Sequence, residues 1–167
     1  MIEAFGRLRG AGRQFKFVAI GEGPLRQQLL EGGFQVEPFA GSEVVANLLR
    51  KTRFLILPSS EEHWGVVVHE AALSGCGLIL SETVGSCAEF AGSQNSWRFQ
   101  PGDSNALVEA MRQALDLDEQ RQRECRAQSL ALAKHFGPRR WNQSFEEILA
   151  IGLSSQQHES PPVISAK

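Results

Sequence analysis

Apolar runs alternate with amphipathic ones almost from the first residue. Ile2, Phe5 and Leu8 recur three apart, which predicts a helix over Met1–Ala11 with one apolar face. Phe15–Ile20 is strand-like and stops at the turn formers Gly21-Glu22-Gly23-Pro24. Pro24 suits the first turn of a helix that continues from Leu25 to Glu31 and ends at Gly32-Gly33. Phe34–Phe39 reads as a second short strand, and Ser42 as the N-cap of a helix running through Leu48 and Leu49. Arg53-Phe54-Leu55-Ile56-Leu57 is a continuous apolar strand stopped by Pro58, as expected of a strand buried in a parallel sheet. A helix over Gly65–Ser74, a strand over Gly77–Leu80 and a short strand at Trp97-Arg98-Phe99 follow. Three helices then come in a row, at Asn105–Leu115, Asp118–His135 and Pro138–Ile151.

Strand–helix alternation of this kind predicts an α/β domain over residues 1–151, a doubly wound parallel Rossmann-like sheet with helices on both faces. The stretch 152–167 is rich in Ser, Gln and Pro and has no periodicity, so a disordered tail is expected there. Ligands of doubly wound sheets bind outside the carboxyl ends of the strands. The loops after Ile20, Phe39, Leu57 and Leu80 are therefore where function is expected.

Composition narrows the function classes. The chain has 167 residues, 42% hydrophobic and 22% charged, with a net charge of −2. That balance lacks the clustered basic footprint of a nucleic-acid binder, so no nucleic-acid partner is expected. No apolar run approaches the roughly 18 residues that span a bilayer. The first residues lack a basic segment followed by an apolar core, so the expected location is cytoplasmic. Cys76, Cys87 and Cys125 contain no Cys-x-x-Cys pair, which argues for reduced, packed thiols and against a structural zinc site.

Candidate chemistry concentrates in Pro58–Gly75. Glu62 and Glu70 flank Gly65, where a helix opens. A helix N-terminus presents unpaired N–H groups and partial positive charge, which suits a phosphate. Gly65 clears a side chain from the ligand's approach. Carboxylates accept hydrogen bonds from sugar and ribose hydroxyls without competing donors. Acidic residues near a helix start also stabilise its dipole, and spacing alone leaves both readings open. His63 and His69 do not share a helical face, which argues against a metal site. His135 suits a dipole partner at a helix end. Trp64 is expected to pack against its loop, with the alternative of stacking on a sugar, and Trp97 and Trp141 to pack at the core or domain edge. Gly21-x-Gly23 lacks the third glycine of a dinucleotide fingerprint, and no phosphate loop of the Gly-x-x-x-x-Gly-Lys-Ser/Thr type exists.

The stretch resembles the donor-binding signature of the retaining, nucleotide-sugar-dependent glycosyltransferases of the GT-B fold, glycosyltransferases group 1. Pro58, Ser59, Glu62, Trp64, Gly65, Glu70, Ala71 and Gly75 match it. Ile20-Gly21-Glu22-Gly23-Pro24 is similar to the family's Gly-x-Gly-Pro turn, and Phe39-Ala40-Gly41 to its Phe-x-Gly. Ser81-Glu82-Thr83-Val84-Gly85 resembles its Ser-x-x-x-Gly loop, with Glu89 as the acidic residue beyond, and Phe99-Gln100-Pro101-Gly102-Asp103 its turn before a helix. The resemblance covers about residues 2 to 150.

It implies a hexose transferred with retention from a nucleotide-diphosphate sugar to a glycan, lipid or small acceptor, with no cofactor or metal. Glu62 would be the catalytic contact to the donor sugar, with backbone N–H groups of Trp64, Gly65 and Val66 near the sugar and diphosphate. Glu70 would bind the ribose, Gly21 would lie by the nucleotide, and Ala40 and Gly41 near the base. The chain starts after the strand and Gly-Arg-Leu…Lys-Gly segment whose cations neutralise the diphosphate in the family; Gly6-Arg7-Leu8 lies within the first helix and does not carry that role. Strands Phe15–Ile20 and Arg53–Leu57 are accordingly expected either to pair directly or to leave open edges. An acceptor-binding N-terminal domain or partner subunit, peripheral membrane association of the full-length enzyme, and weak donor binding by this chain alone are further expectations. The alternatives are a non-catalytic nucleotide- or partner-binding remnant and a nucleotide-sugar epimerase of the same fold.

Overall fold

The computed structural model describes residues 1–156. They divide into two compact units, Met1–Ala133 and one beginning at Lys134. The elements are α1 (Ile2–Gly10), β1 (Val18–Ile20), α2 (Arg26–Glu31), β2 (Gln35–Glu37), α3 (Ser42–Leu49), β3 (Phe54–Leu57) and α4 (Val66–Leu73). They continue as β4 (Gly77–Ser81), α5 (Cys87–Phe90), β5 (Ser96–Phe99), α6 (Ser104–Leu115), α7 (Glu119–His135) and α8 (Pro138–Gln156).

The alternation along β3 and β4 explains the layers. Leu55, Leu57, Leu78 and Leu80 face one core cluster with Leu49 of α3, Val68, Ala71 and Ala72 of α4 and Phe90 of α5. Phe54, Ile56 and Ile79 face the other, with Ala4 and Leu8 of α1 and Leu107, Ala110 and Met111 of α6. Strand side chains alternate faces, so a strand apolar at every position needs helices on both sides. β4 is buried along its whole length. Each fully buried Leu or Ile there is worth about 1.5–3 kcal/mol relative to exposure. A buried polar set ties α7 to the end of α5: Asn95 Nδ2 donates to the Phe90 carbonyl (3.0 Å) and to Ser129 Oγ (2.9 Å), and Ser129 Oγ donates to the Cys76 carbonyl (2.6 Å).

All strand pairing is parallel, in two sheets, β1–β2 and β3–β4–β5. Val18 lies opposite Gln35, Phe54 opposite Gly77 and Leu78 opposite Ser96. β1 and β3 do not pair, so of the two outcomes expected at that junction the fold shows the open edges. Both strands are apolar yet only half-buried, unlike β4.

Several boundaries differ from the sequence expectation. The first strand begins at Val18 because Phe15 and Phe17 turn into an aromatic cluster around Phe5, edge-on at 5.2 and 5.4 Å, with Phe34 4.3 Å from Phe5. The second strand ends at Glu37, and Phe39 beyond it is 82% exposed. Gly41, not Ser42, is the N-cap of α3; Ser42 is its first helical residue and makes no side-chain cap. The short α5 was not anticipated, its four residues being too few for a periodic signal. In the second unit Trp141 is 67% exposed and stacks on Phe145 at 5.4 Å, so it is not a core residue of the described segment. Of the tail expected at 152–167, residues 152–156 continue α8, and 157–167 lie outside the described residues.

Candidate functional site

β3 delivers the chain to Pro58, and the loop 58–65 returns it to α4. Gly65 is the N-cap of α4 with φ 79° and ψ 68°, the left-handed region. A Cβ there would meet Leu57 Cδ2 at 3.2 Å and Glu62 Cγ at 3.3 Å, so both the backbone and the packing select glycine. Glu62 Oε1 accepts the Trp64 N–H at 3.3 Å, which folds the carboxylate back over the loop. The first turn of α4 contains no acidic side chain, so the one carboxylate the hydrogen bonds place at its start is that of Glu62, in the loop before it.

The loop after β4 holds this one in place. The Gly85 N–H donates to the Glu62 carbonyl at 2.9 Å and the Ser86 N–H to the Trp64 carbonyl at 3.1 Å. Ser81 Oγ and Thr83 Oγ1 both donate to the Ser59 carbonyl, at 2.6 and 2.8 Å. Glu62 and Val84 form an isolated parallel bridge. The sequence identified Ser81–Gly85 as a loop of the site and missed this clamping role, because hydroxyls two residues apart carry no signal for a partner 22 and 24 residues upstream.

Glu70 lies four residues after Val66, on the same face of α4 and one turn in. Its carboxylate is half-buried and has no hydrogen bond or ion pair among the described residues. His69, beside it, is committed to packing: its ring stacks on Phe90 at 4.6 Å and its Nε2 lies 3.2 Å from the Ala133 carbonyl oxygen. Trp64 is 45% exposed, with its other contact an edge-on approach to Phe90 at 6.3 Å. Two buried polar atoms of the clamp region, Ser86 Oγ and Glu89 Oε2, lack a hydrogen-bond partner among the described residues. Such orphans are costly, about 1–3 kcal/mol each, and mark places where a ligand or water completes the bonding.

Gly21, Ala40 and Gly41 sit at the carboxyl end of the other sheet. The Gly21 N–H donates to the Glu37 carbonyl at 3.0 Å, joining the ends of β1 and β2, and Gly41 opens α3. The fold thus places the predicted site residues in the segments that follow the strands' carboxyl ends, with Glu70 one turn inside α4. Hydrogen bonds bring Glu62 and Trp64 together with the Ser81–Ser86 loop, while Gly21, Ala40 and Gly41 lie at the ends of the other sheet.

The arrangement suits binding rather than nucleophilic attack. Cys87, the thiol nearest the clamp, donates to the Ser81 carbonyl at 3.8 Å, and burial pushes its pKa up, so it stays neutral. No group of three or more potential metal ligands occurs among the described residues. What remains is a helix start with N–H donors flanked by two carboxylates, chemistry able to donate to an anion and to accept from hydroxyl groups.

The model of the family described as glycosyl transferases group 1 matches residues 1–117. A 2-deoxystreptamine N-acetyl-D-glucosaminyltransferase of Niallia circulans is 24% identical over 102 residues, covering 56% of this chain and 26% of that protein. Among solved structures, the α,α-trehalose 6-phosphate synthase of Burkholderia multivorans superposes with a TM-score of 0.74 at 18% identity, over 97% of this chain and 41% of that one. The sucrose-phosphate synthase of Thermosynechococcus elongatus gives 0.72 at 18% identity, over 90% and 42%. The chain spans about a quarter of the curated relative and about two fifths of these structures. It belongs to the glycosyl transferases group 1 family, with the GT-B glycosyltransferase domain fold.

Proposed function

We propose that this chain is the donor-binding part of a glycosyltransferase that moves a hexose from a nucleotide-diphosphate sugar to an acceptor, with retention. The observation that carries the reading is the Gly65 start of α4, whose first turn carries no acidic side chain, between the carboxylates of Glu62 and Glu70. The diphosphate lies against the N–H groups of Gly65 and Val66, where the dipole stabilises its charge as the sugar departs. Glu62 contacts the donor sugar through the carboxylate oxygens its single bond to Trp64 leaves available. Glu70, one turn further along the same face, accepts from the ribose hydroxyls. Trp64, half-exposed beside them, closes the sugar side. Gly21 lies by the nucleotide, and Ala40 and Gly41 by the base.

No side chain here pairs a nucleophile with a base, so the rate enhancement comes from positioning and from electrostatic stabilisation of the leaving diphosphate. The acceptor is contributed by a further domain or subunit. The location we assign is cytoplasmic, with peripheral membrane association of the complete enzyme; no helix among the described residues is long and apolar enough to cross a membrane.

Saturation-transfer NMR with UDP-glucose, GDP-mannose and ADP-glucose tests the reading, and detects the weak binding that open strand edges lead us to expect. At least one donor is expected to receive saturation on both ribose and hexose protons. Absence of transfer to all three would contradict the reading.

A further inference from the structure

At the amino ends of β3 and β4, the end of the sheet away from Glu62 and Glu70, lies a cleft of about 380 Å³. That volume is within the range of small-ligand sites, about 300–1,000 Å³. Its charged lining is Arg50, Lys51, Arg53, Arg123 and Arg126, with Glu119 as the one carboxylate. Five cations against one anion leave four unbalanced positive charges in a protein whose net charge is −2.

The partners of these cations decide what the cleft can take. Arg50 Nη1 donates to the neutral Asn47 at 2.6 Å, and Arg53 lies over the Phe54 ring at 5.6 Å. Arg126 Nη1 donates to the Ser74 carbonyl at 3.2 Å. Of the five, only Arg123 has an acidic partner among the described residues, Glu119 at 3.5 Å, and both side chains are largely exposed. The Lys51 backbone N–H donates to the Leu48 carbonyl at 2.9 Å, but its ammonium has no hydrogen bond or ion pair among the described residues. A basic residue at a helix end stabilises its dipole, which accounts for Arg50 and Lys51 at α3 and for the Arg126 bond to the Ser74 C-cap of α4, but not for Arg53 or Arg123. Cations that converge on a concave surface without neutralising acids raise the local concentration of anions. Guanidinium groups match phosphate oxygens in a two-pronged geometry.

We propose that this cleft is a second ligand site, for a soluble anion carrying two or three phosphoryl groups. It is separate from the donor site, which lies at the opposite ends of the same strands. Thr52 at the rim adds a hydroxyl, although its Oγ1 donates to the Leu48 carbonyl at 2.9 Å and offers the ligand only its acceptor side. The recognition is therefore carried by charge and by the arginine forks.

The test is a titration of the chain with inorganic tripolyphosphate, followed by backbone amide NMR. Saturable shifts are expected at residues 50–54 and 122–126, weakening steeply with added salt. The double variant Lys51→Glu, Arg123→Glu changes two exposed side chains and is expected to weaken binding at least about tenfold, since hydrogen bonds to charged groups are individually that strong. Shifts confined to Trp64–Val66, or none, would overturn the proposal, as would equal affinity in a double variant whose amide spectrum is otherwise unchanged. Sedimentation with phosphatidylserine vesicles in the absence of saturable tripolyphosphate binding would also overturn it, by making the patch a membrane surface.

Discussion

Gly85 lies so close to His63 that a Cβ on it would sit 1.9 Å from the His63 carbonyl oxygen. No side chain fits there without moving backbone, because the neighbouring atoms belong to the hydrogen-bonded junction of two loops. Gly85→Ala is expected to destabilise the chain by about 1–3 kcal/mol, the usual cost of overpacking. Urea denaturation measures this. Because the junction also positions Glu62, any donor binding of the native chain should weaken in the same variant.

Gly65→Ala tests the helix start separately. Its left-handed backbone costs a residue with a Cβ about 1–3 kcal/mol, and the added methyl crowds Leu57 and Glu62. We expect a loss of stability in that range by urea denaturation. Gly23→Ala, at a glycine with a negative φ and open space around it, is the control and should stay within about 0.5 kcal/mol of the native chain.

Ser81→Ala removes one of the two hydroxyls that donate to the Ser59 carbonyl, and Thr83→Val the other. Each should cost about 1 kcal/mol by thermal or urea denaturation. The two residues share a partner and lie 3.0 Å apart at their oxygens, so the double variant should deviate from additivity.

Cys76 supplies a pH dependence. Burial pushes its thiol pKa up to about 11, and its Sγ donates to the Leu49 and Thr52 carbonyls at 3.4 and 3.3 Å. The unfolded chain releases this proton near its ordinary pKa of 9.0 while the folded chain keeps it. The contribution is therefore fully present below pH 9 and lost as pH rises through about 11, where stability falls by on the order of 2 kcal/mol. Denaturation curves between pH 8 and pH 11 should show the decline. Thiol-modifying reagents should leave Cys76 untouched in the native chain at neutral pH.

Much of this was legible because the strongest signals coincide with strand ends. Leu57 followed by Pro58 marks where a buried strand must stop, and Gly65 marks where a helix can begin only with a left-handed residue. Those signals put Glu62 in the loop and Glu70 in the helix, while spacing left their roles open and the resemblance of Pro58–Gly75 to the family's signature supplied them. What stayed hidden depends on contacts distant in sequence. Phe15 and Phe17 have the pattern of a strand, but Phe5 and Phe34 draw them into an aromatic cluster. The Ser81 and Thr83 clamp, the Gly85 contact and the basic cleft each join segments that no local pattern connects.

The central claim is that a nucleotide sugar is held at the start of α4, with Glu70 on its ribose. The Glu70 carboxylate makes no hydrogen bond or ion pair among the described residues, so Glu70→Ala should change stability by less than about 0.5 kcal/mol. The decisive measurement is the thermal midpoint of the native chain and of Glu70→Ala with UDP-, GDP- and ADP-sugars. A donor at about 100 times its Kd adds about 2.7 kcal/mol. The account predicts that at least one donor raises the native midpoint and leaves that of Glu70→Ala unmoved. An equal rise in the variant, or no rise in the native chain with any donor, would contradict it.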